Sequence, residues 1–441
     1  MRFGVNYTPA SGWFHSWQHL REEDVRRDLG QIASLGVDHI RIFPLWPVVQ
    51  PNRSLISQTA LDDVMTVVDV AAEFGLDVNL DVLQGHLSSY DFLPAWISTW
   101  HRRNLFTDPD VVQAEADLAA EFARRLEGRP NIMGITLGNE LNQFAPPLHP
   151  DAHPVTPEQA SAWLEALVAG ARSQGDPFVT NAMYDASWYD DRQPFEPRHA
   201  VEFGDATVVH SWVFNGAAQT FGPLHDGSVR HAEYLLQLAA AWHEDAARPV
   251  WLQEVGAPTT VIPRESAPDF LEATIRNAAS VPGLMGVTWW CSHDVSRALA
   301  DFPEVEYDLG LFTHDGVLKP TGERFAALVA EFRGAGAGAQ AGSAGSGGRA
   351  SGESSAGTGG APSSSSTVAV VLDDTAEGYR ATCAPGGAFH RAWLDAAAAG
   401  GQGPQVLLAS RGRDAARLAE RGITTVLDSG ASAAGAITAN R

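Results

Sequence analysis

The sequence has few cysteines, few basic residues and no long apolar run. Its two cysteines, Cys291 and Cys383, lie far apart among 441 residues, so we expect no disulfide framework, and a reducing compartment is compatible with the chain. The 30 Lys and Arg are outnumbered by 53 Asp and Glu, and the net charge of −23 supplies no basic face for nucleic acid. No apolar run approaches the ~20 residues that span a bilayer. We therefore expect neither a nucleic-acid partner nor a membrane segment, and the acidity indicates solubility.

Several functional signatures are also missing. The first residues, MRFGVNYTPA, lack the charged, apolar and small-residue order of a signal peptide, which predicts a cytoplasmic protein if this start is native. No GxSxG elbow follows a strand, which argues against a Ser-His-Asp hydrolase. No HExxH or similarly spaced cluster exists, so we expect no catalytic metal and no cofactor. No glycine-rich phosphate loop follows the first strand, which argues against a doubly wound dinucleotide-binding sheet.

The first 333 residues alternate short β-rich runs with amphipathic helices, a pattern typical of α/β proteins with a parallel sheet. The predicted strands are residues 2–7, 39–43, 77–83, 132–137, 178–183, 207–212, 250–252 and 286–290. The main predicted helices are residues 21–35, 60–74, 108–126, a helix starting at 156, 229–241, 268–279 and 321–332. Eight such units in this length predict a (β/α)8 TIM barrel over residues 1–333.

The composition changes at Gly334. Residues 334–366 are almost all Gly, Ala and Ser, which predicts a flexible linker. Beyond it, residues 367–441 contain three strand-like runs, 367–372, 405–409 and 424–427, with helices near 390–398 and 413–421. We interpret this segment as a small α/β module, either accessory or an oligomer contact, so that a homo-oligomer is one expectation. Its size makes independent stability doubtful.

Two stretches place a glutamate at the end of an apolar strand. The first, residues 132–142, reads IMGITLGNELN and turns polar at Asn139 and Glu140. The second, residues 250–256, reads VWLQEVG and carries Glu254. A side chain at the carboxyl end of a barrel strand is held rigidly beside an open loop. Two such carboxylates are the minimum for glycoside cleavage, since one protonates the leaving oxygen and the other attacks or activates water.

Polar side chains from the other strand ends are expected to meet these glutamates, because the carboxyl ends of barrel strands share one face. The collected candidates are Arg41, His86, Asn139, Glu140, His210, Glu254, Trp290 and Asp294. Glu140 is predicted to be the general acid/base, which must hold a proton near neutral pH. Glu254 is predicted to be the nucleophile, kept ionised by Arg41.

The remaining candidates are assigned to substrate binding. Asn139 is predicted to hydrogen-bond the sugar 2-hydroxyl, a contact that strengthens in the transition state, and Trp290 offers a ring face to the sugar. Other interpretations stay open at this point. Arg41 is equally compatible with a structural ion pair, and His86 and His210 with hydrogen-bonded packing.

Tryptophans are abundant in the predicted loops at one end of the barrel. They are Trp13, Trp17, Trp46, Trp96 and Trp100. Such residues either form the apolar cores of loops or offer an exposed platform for sugars. Their number at one barrel end favours the platform.

The sequence resembles the glycoside hydrolases of clan A, family 5, from Met1 to about Gly334. The matching positions are Arg41 on strand two, Asn139-Glu140 after strand four, His210 on strand six, Glu254 after strand seven and Trp290 on strand eight. The resemblance implies a retaining double displacement with Glu140 as acid/base and Glu254 as nucleophile. One position departs from the pattern. The family often has an aromatic hydroxyl two residues after the strand-six histidine, in contact with the nucleophile, and this chain has Trp212 there. We count Trp212 among the substrate-binding residues and expect His210 or another group to orient the nucleophile.

Longer stretches look like the bacterial β-mannosidase subgroup of that family. They read VNYTPASGWFHSW, QGHLSSYDFLPAW, TLGNELNQ, HSWVFNGAAQ, WLQEVGAP and GVTWWCSHD. The resemblance implies an exo-acting enzyme on short oligosaccharides, with the mannose-β-1,4-N-acetylglucosamine linkage of the N-glycan core as substrate.

Two alternatives remain at this stage. One is an endo-β-1,4-glucanase or mannanase of the same family, which would need an open groove. The loops around residues 13–17 and 294–302 are the candidates for blocking that groove. The other is a carbohydrate-binding protein that has lost catalysis, which the two intact glutamates disfavour.

Overall fold

Eight parallel strands enclose the centre of the molecule. The computed structural model describes residues 1–98, 100, 102–343, 367–430, 437 and 438. The barrel strands are β1 (Arg2–Asn6), β2 (His39–Ile42), β3 (Asp77–Leu83), β4 (Ile132–Asn139), β5 (Val179–Ala182), β6 (Thr207–Ser211), β7 (Val250–Val255) and β8 (Leu284–Trp289). They pair in parallel in the order β5-β4-β3-β2-β1-β8-β7-β6.

The two ends of this sheet meet between β5 and β6. The Asp205 backbone N–H donates to the Val179 carbonyl at 2.7 Å, and the Val179 N–H donates to the Asp205 carboxylate at 2.7 Å. These bonds close the ring, and apolar side chains from all eight strands and their helices form one continuous core. The predicted TIM barrel is confirmed.

Helices cover the outside of the barrel. They are α1 (Glu22–Ser34), α2 (Gln58–Glu73), α3 (Pro109–Leu126), α4 (Pro157–Arg172), α5 (Pro197–Glu202), α6 (His231–Ala241), α7 (Ala267–Ala278) and α8 (Pro320–Ser343). Local signals fix several starts. Asp108 accepts hydrogen bonds from the first-turn N–H groups of α3, and Thr156 forms a capping box with Gln159 at the start of α4.

Shorter helices lie in the loops at the carboxyl ends of the strands. The α-helical ones are Trp46–Val49, Ala95–Ser98, Ala186–Tyr189, Ala217–Phe221 and Asp226–Val229. The connection from β5 to β6 holds one of these and α5. No helix in the described part of the chain is long and apolar enough to cross a bilayer.

The last barrel helix is longer than the sequence indicated. The pattern predicts an end at residue 332, whereas α8 extends to Ser343. The predicted linker, residues 334–366, is helical up to Ser343, and its part from 344 to 366 lies outside the described residues.

The C-terminal segment forms a second, four-stranded sheet with three helices. Its strands are β9 (Thr367–Leu372), β10 (Gln405–Leu408), β11 (Ile423–Asp428) and the short β12 (Ile437–Thr438). Its helices are α9 (Tyr379–Cys383), α10 (Ala388–Gly400) and α11 (Ala415–Glu420). β9 pairs in parallel with β10 and β11, and β12 is antiparallel to β11. We call residues 367–438 of this sheet and its helices the C-terminal module.

This module packs directly on α6 of the barrel. The Tyr234 ring contacts the Trp393 ring at 5.2 Å between centroids, and the Tyr234 hydroxyl donates to the Cys383 carbonyl at 2.9 Å. Part of the module's apolar core is continuous with that of the barrel. The two units are therefore held together by a buried apolar contact.

A buried arginine of the module also contacts the loop that follows β5. The Arg380 guanidinium donates to the carbonyls of Ser187 and Phe195, each at 3.4 Å, and to those of Asp191 at 2.9 Å and Gln193 at 3.0 Å. Four carbonyls of one loop are thus satisfied by a single side chain, so the module fixes the course of that loop.

Candidate active site

Arg41 lies at the floor of the barrel mouth, where β2 ends. It is fully buried and donates two hydrogen bonds to Asp81 on β3, at 2.9 and 2.6 Å. Its Nη1 donates to Glu254 at 2.5 Å, and Nη2, which also binds Asp81, donates to the side-chain oxygen of Asn139 at 2.8 Å. Arg41 is therefore both a structural ion-pair partner and a contact of the predicted nucleophile. The two interpretations that the sequence left open are compatible with each other.

Glu140 projects from the turn that ends β4. Its backbone is left-handed, with φ of 50° and ψ of 33°, a conformation that costs a side-chain-bearing residue about 1–3 kcal/mol. One carboxylate oxygen lies 2.6 Å from Nδ1 of His210, and the other accepts a hydrogen bond from Gln143 at 2.6 Å. The strained turn aims the carboxylate across the barrel toward β6 and β7.

Glu254 lies on β7 opposite Glu140. One carboxylate oxygen is bound by Arg41, and the other accepts a hydrogen bond from the Trp212 indole N–H at 3.2 Å. His210 Nδ1 lies 3.4 Å from the same oxygen. The sequence left open whether His210 or another group orients this carboxylate. Both His210 and Trp212 contact it, and the indole N–H of Trp212 donates a hydrogen bond directly.

The spacing of the two carboxylates sets the chemistry they can perform. One ligand atom from each of Glu140, His210 and Glu254 lies within 4.8 Å of the others. Retaining glycosidases place their carboxyl groups about 5–5.5 Å apart, and inverting enzymes place them about 6.5–9.5 Å apart. The observed spacing matches the retaining arrangement. The same three atoms have the geometry of a small cation site, but Arg41 already supplies a positive charge to Glu254.

The charges in this cluster are strongly coupled. Burial raises the pKa of Glu254, and Glu140 adds to the rise, while His210 and Arg41 oppose it. Burial lowers the pKa of His210, but the carboxylates of Glu254 and Glu140 outweigh this effect and leave it above the usual value. The protonation states of His210 and Glu254 therefore depend on each other.

The hydrogen-bond network below His210 determines where its protons lie. His210 Nε2 lies 3.2 Å from the side-chain oxygen of Gln253, whose amide nitrogen donates to the Thr136 hydroxyl at 3.0 Å. This amide orientation makes Nε2 the protonated nitrogen. The 2.6 Å hydrogen bond between Nδ1 and Glu140 offers a direct path for a proton between these two groups.

These glutamates line a small pocket of about 180 Å³ at the barrel mouth. The predicted residues on its wall are His86, Asn139, Glu140, Trp212, Glu254 and Trp290. Arg41 and His210 lie just beneath, both almost fully buried. The sequence missed other lining residues, among them Ser88, Gln143, Tyr184, Phe214 and Glu306. Gln143 lies three residues from Glu140, but nothing in the local pattern marks the others.

One side of the pocket is closed by loops that follow β8, β1 and β3. Trp13 contacts Phe302 edge to face at 4.6 Å between centroids, and Tyr90 contacts Phe302 at 4.8 Å. The Tyr90 hydroxyl donates to the Ala300 carbonyl at 2.9 Å. We call this contact the loop wall. It joins the loops after β8, β1 and β3, and it includes a hairpin after β3, His86–Leu87 with Tyr90–Asp91, that the sequence did not suggest.

The loop tryptophans do not form an exposed platform. Trp13, Trp17, Trp46 and Trp96 are all buried, and only Trp100 is exposed, at 96%. Trp46 and Trp96 both donate to Gln50, which fixes them inside the loop. The platform interpretation is wrong for these four, because burying an indole ring stabilises a loop more than exposing it does.

Asp294 is the one predicted site residue that the structure does not bring to the pocket. It is buried beside Lys319, the only lysine of the sequence, with a 2.8 Å contact to the ammonium, and it accepts from the Gly310 N–H at 2.8 Å. It lines a separate cavity of about 820 Å³. Asp294 follows strand β8, but its side chain turns away from the glutamates.

No protein-family model and no curated protein sequence matches the chain. Solved structures do. A GH5_18 protein from Streptomyces cattleya, solved as a glutamate-to-alanine variant in complex with Manβ1-4GlcNAc, shares 47% identity over 97% of this chain and 98% of its own, with a TM-score of 0.87.

Two proteins from bifidobacteria are similar over the same length. GH5_18 from Bifidobacterium longum subsp. infantis shares 41% identity over 98% of this chain and 97% of its own, with a TM-score of 0.86. A variant of GH5_18 from Bifidobacterium longum subsp. longum, in complex with Manβ1-4GlcNAc, shares 40% identity over 100% of this chain and 97% of its own, with a TM-score of 0.86. The chain belongs to GH5_18, subfamily 18 of glycoside hydrolase family 5.

Proposed function

We propose that this protein is a retaining exo-β-mannosidase that removes β-1,4-linked mannose from short oligosaccharides, with Manβ1-4GlcNAc as its substrate. The observation that carries the reaction type is the approach of Glu140 and Glu254 to within 4.8 Å in one pocket. The substrate is supported by the Streptomyces and Bifidobacterium relatives, whose structures contain Manβ1-4GlcNAc.

The first step forms a covalent intermediate. The Glu254 carboxylate attacks the anomeric carbon of mannose, and the bond from that carbon to the glycosidic oxygen breaks. Glu140 gives its proton to the departing oxygen, which leaves as the hydroxyl of the aglycone. In the second step Glu140 removes a proton from water, the water oxygen attacks the same carbon, and the Glu254 carboxylate is released.

The surrounding groups prepare both carboxylates. Arg41 and Trp212 hold one Glu254 oxygen each, which fixes the direction of attack. His210 supplies or stores the proton used by Glu140. Asn139 is held by Arg41 and by the His86 carbonyl, which prepares it to bind the sugar 2-hydroxyl. Trp290 and His86 line the same pocket and complete the proposed sugar-binding set.

Exo action is supported by the size and closure of the pocket. Its volume of about 180 Å³ is close to that of one sugar ring, and the loop wall joins the loops after β1, β3 and β8 beside it. An endo-acting enzyme needs a groove open on both sides of the cleaved bond. The wall therefore disfavours the endo-β-1,4-glucanase or mannanase alternative.

Product analysis tests the substrate and the stereochemistry together. We expect Manβ1-4GlcNAc to yield mannose and GlcNAc, with β-mannose as the first anomer seen by proton NMR. Longer β-1,4-manno-oligosaccharides should shorten by one residue at a time from the non-reducing end. Release of internal fragments would refute exo action, and α-mannose as the first product would refute retention.

Azide rescue tests the two glutamate roles separately. Glu254→Ala should be inactive on an aryl β-mannoside until azide fills the space and gives the α-mannosyl azide. Glu140→Ala should form the intermediate from an activated aryl substrate, and azide should convert it into the β-mannosyl azide. Glu304→Ala, an exposed carboxylate in an ion pair with Arg297, is the control and should retain full activity. Identical products from both variants would overturn the assignment.

We further propose that residues 1–333 form the catalytic unit and that residues 367–441 are accessory to it. The Arg380 contacts to the β5 loop and the packing on α6 support a stabilising role. Stopping the chain at residue 343, where α8 ends, and measuring solution mass and activity tests this division, and shows whether the module also joins subunits. Full activity of the shortened chain would show that the module is dispensable.

A further inference from the structure

A third carboxyl group faces the pocket beside Glu140 and Glu254. Glu306 lies in the loop after β8, on the short 3-10 turn Glu304–Glu306. One of its oxygens accepts a hydrogen bond from the Ser88 hydroxyl at 2.8 Å, and both residues line the pocket. Among the described residues, Glu306 has no ion pair with an Arg, Lys or His. It takes no part in the steps assigned above.

The surroundings of Glu306 favour an uncharged or hydrogen-bonding carboxyl group. Burial raises its pKa to about 7, with Glu254 and Glu140 adding to the rise and the Ser88 hydroxyl opposing it. Near neutral pH such a group both donates and accepts hydrogen bonds. A sugar ring offers hydroxyl groups with the same double capacity.

The loops around Glu306 hold it in place. Ser88 and Ser89 are both left-handed, with φ of 50° and 68°, so the tip of the β3 hairpin has a fixed shape. Tyr90 of the same hairpin joins the β8 loop through Ala300 and Phe302. The pair Glu306–Ser88 is therefore a built feature of the loop wall, and its position does not depend on a flexible side chain alone.

The position of this pair suits a part of the sugar away from the reacting atoms. Glu140 and Glu254, which act at the anomeric carbon, follow β4 and β7, whereas Glu306 and Ser88 come from the loops after β8 and β3. A sugar with its anomeric carbon between the two glutamates would therefore reach Glu306 and Ser88 with a hydroxyl remote from that carbon.

We infer that Glu306, seated on Ser88, binds a ring hydroxyl of the terminal sugar remote from the anomeric carbon and so makes a free chain end a requirement for cleavage. This inference rests on the proposed exo-mannosidase function and adds a specificity-determining residue to it. A chain substituted at that hydroxyl would lose the hydrogen bond and meet the loop wall.

The test pairs variants of Glu306 with substrates that lack single hydroxyl groups. The substrates are an aryl β-mannoside and its 3-, 4- and 6-deoxy analogues. For the wild type, kcat/KM should fall at least about tenfold for one or more analogues, as expected when a hydrogen bond to a carboxyl group is lost. For Glu306→Ala, kcat/KM for the parent substrate should fall to the value for that analogue. The kcat/KM values of the parent and the analogue should then differ less than about threefold.

Two further variants separate recognition from support of the loops. Glu306→Gln keeps an acceptor for Ser88 and the side-chain volume, and should show an intermediate loss for the same analogue. Glu304→Gln, two residues away and paired with Arg297 outside the pocket, should behave as the wild type with every substrate. Thermal midpoints of all variants show whether each is folded.

The outcomes distinguish this inference from the proposed function. If Glu306→Ala or Glu306→Gln lowers kcat/KM by the same factor for the parent and for all analogues, the residue only supports the loops and the inference is overturned. If Glu306→Ala does not fold, the Glu306→Gln comparison decides by the same criterion. If the wild type does not cleave the parent β-mannoside at all, the proposed function is refuted, and the role assigned to Glu306 is refuted with it.

Discussion

Two clusters of acidic and basic side chains lie beyond the carboxyl ends of the barrel strands. In the first, Arg41 and His210 face the carboxylates of Asp81, Glu140 and Glu254. In the second, the Asp294 carboxylate is matched by one ammonium, that of Lys319. Both clusters border a cavity, but the first has more carboxylates than cations, whereas Asp294 and Lys319 balance each other. Unbalanced buried charge with access to ligand is the feature that distinguishes a reactive site from a structural ion pair.

The largest expected effect comes from neutralising a carboxylate of the first cluster. Glu140→Gln and Glu254→Gln keep the side-chain volume and should each lower kcat on Manβ1-4GlcNAc by a factor of about 10⁴ or more. Thermal stability should change little or rise, because burial disfavours the charged form of Glu254. A loss of kcat of less than tenfold for either variant would show that the first cluster is not the reactive one.

The next largest effect is expected for Arg41, which hydrogen-bonds to Asp81, Glu254 and Asn139. Arg41→Lys keeps the charge but loses the paired bonds to Asp81 and cannot also reach Glu254 and Asn139. We expect kcat to fall about 100-fold and the free energy of unfolding by about 3 kcal/mol. Steady-state kinetics and urea unfolding of the same preparation measure both. Unchanged kcat with reduced stability would make Arg41 purely structural.

A smaller effect is expected for the indole contact with Glu254. Trp212→Phe removes a hydrogen bond that stabilises the ionised carboxylate, so the pKa of Glu254, already raised by burial, should rise further. Because the nucleophile acts when ionised, activity is lost as pH falls through this pKa. The acidic limb of the kcat/KM profile should therefore move to higher pH by about one unit.

A matched control for that variant exists in the same chain. Trp163 donates to the buried Glu115 at 2.7 Å, between α3 and α4 and outside the pocket. Trp163→Phe should lower stability and leave the pH profile of kcat/KM in place. Equal shifts for the two variants would show that the profile reports general unfolding.

The smallest effect on catalysis is expected in the second cluster. Lys319→Met leaves the Asp294 carboxyl buried without its cation, which should cost about 1–3 kcal/mol of unfolding stability. Values of kcat and KM should stay within about twofold of the wild type. Asp294→Asn is the companion variant. A large rise in KM for either would return Asp294 to the substrate-binding set.

The main parts of the fold and the reacting pair were predictable because both depend on local patterns. Strand and helix periodicity recurs through the barrel, and Glu140 and Glu254 directly follow apolar strands, so the topology alone brings them together. The order of residues after a strand does not determine which way each side chain points. Asp294 follows β8 as closely as the glutamates follow their strands, but Lys319, 25 positions later, draws it out of the pocket.

The loop wall could not be predicted for a related reason. Its contacts join Trp13, Tyr90 and Phe302 from three separate loops, and no periodic pattern links them. Glu306 and Ser88 are likewise brought together across 218 positions of sequence. Loop conformation depends on such tertiary contacts, so composition indicated many loop aromatics but not that they were buried.

The position of Arg380 late in the chain has a consequence for protein synthesis. A ribosome completes all eight barrel strands before it adds Arg380, so the four carbonyls of the β5 loop wait for their donor until translation is nearly finished. That loop begins at Tyr184, which lines the pocket. Chains that end before residue 380 would lack the donor for these four carbonyls, which leaves the loop that begins at Tyr184 without this anchor.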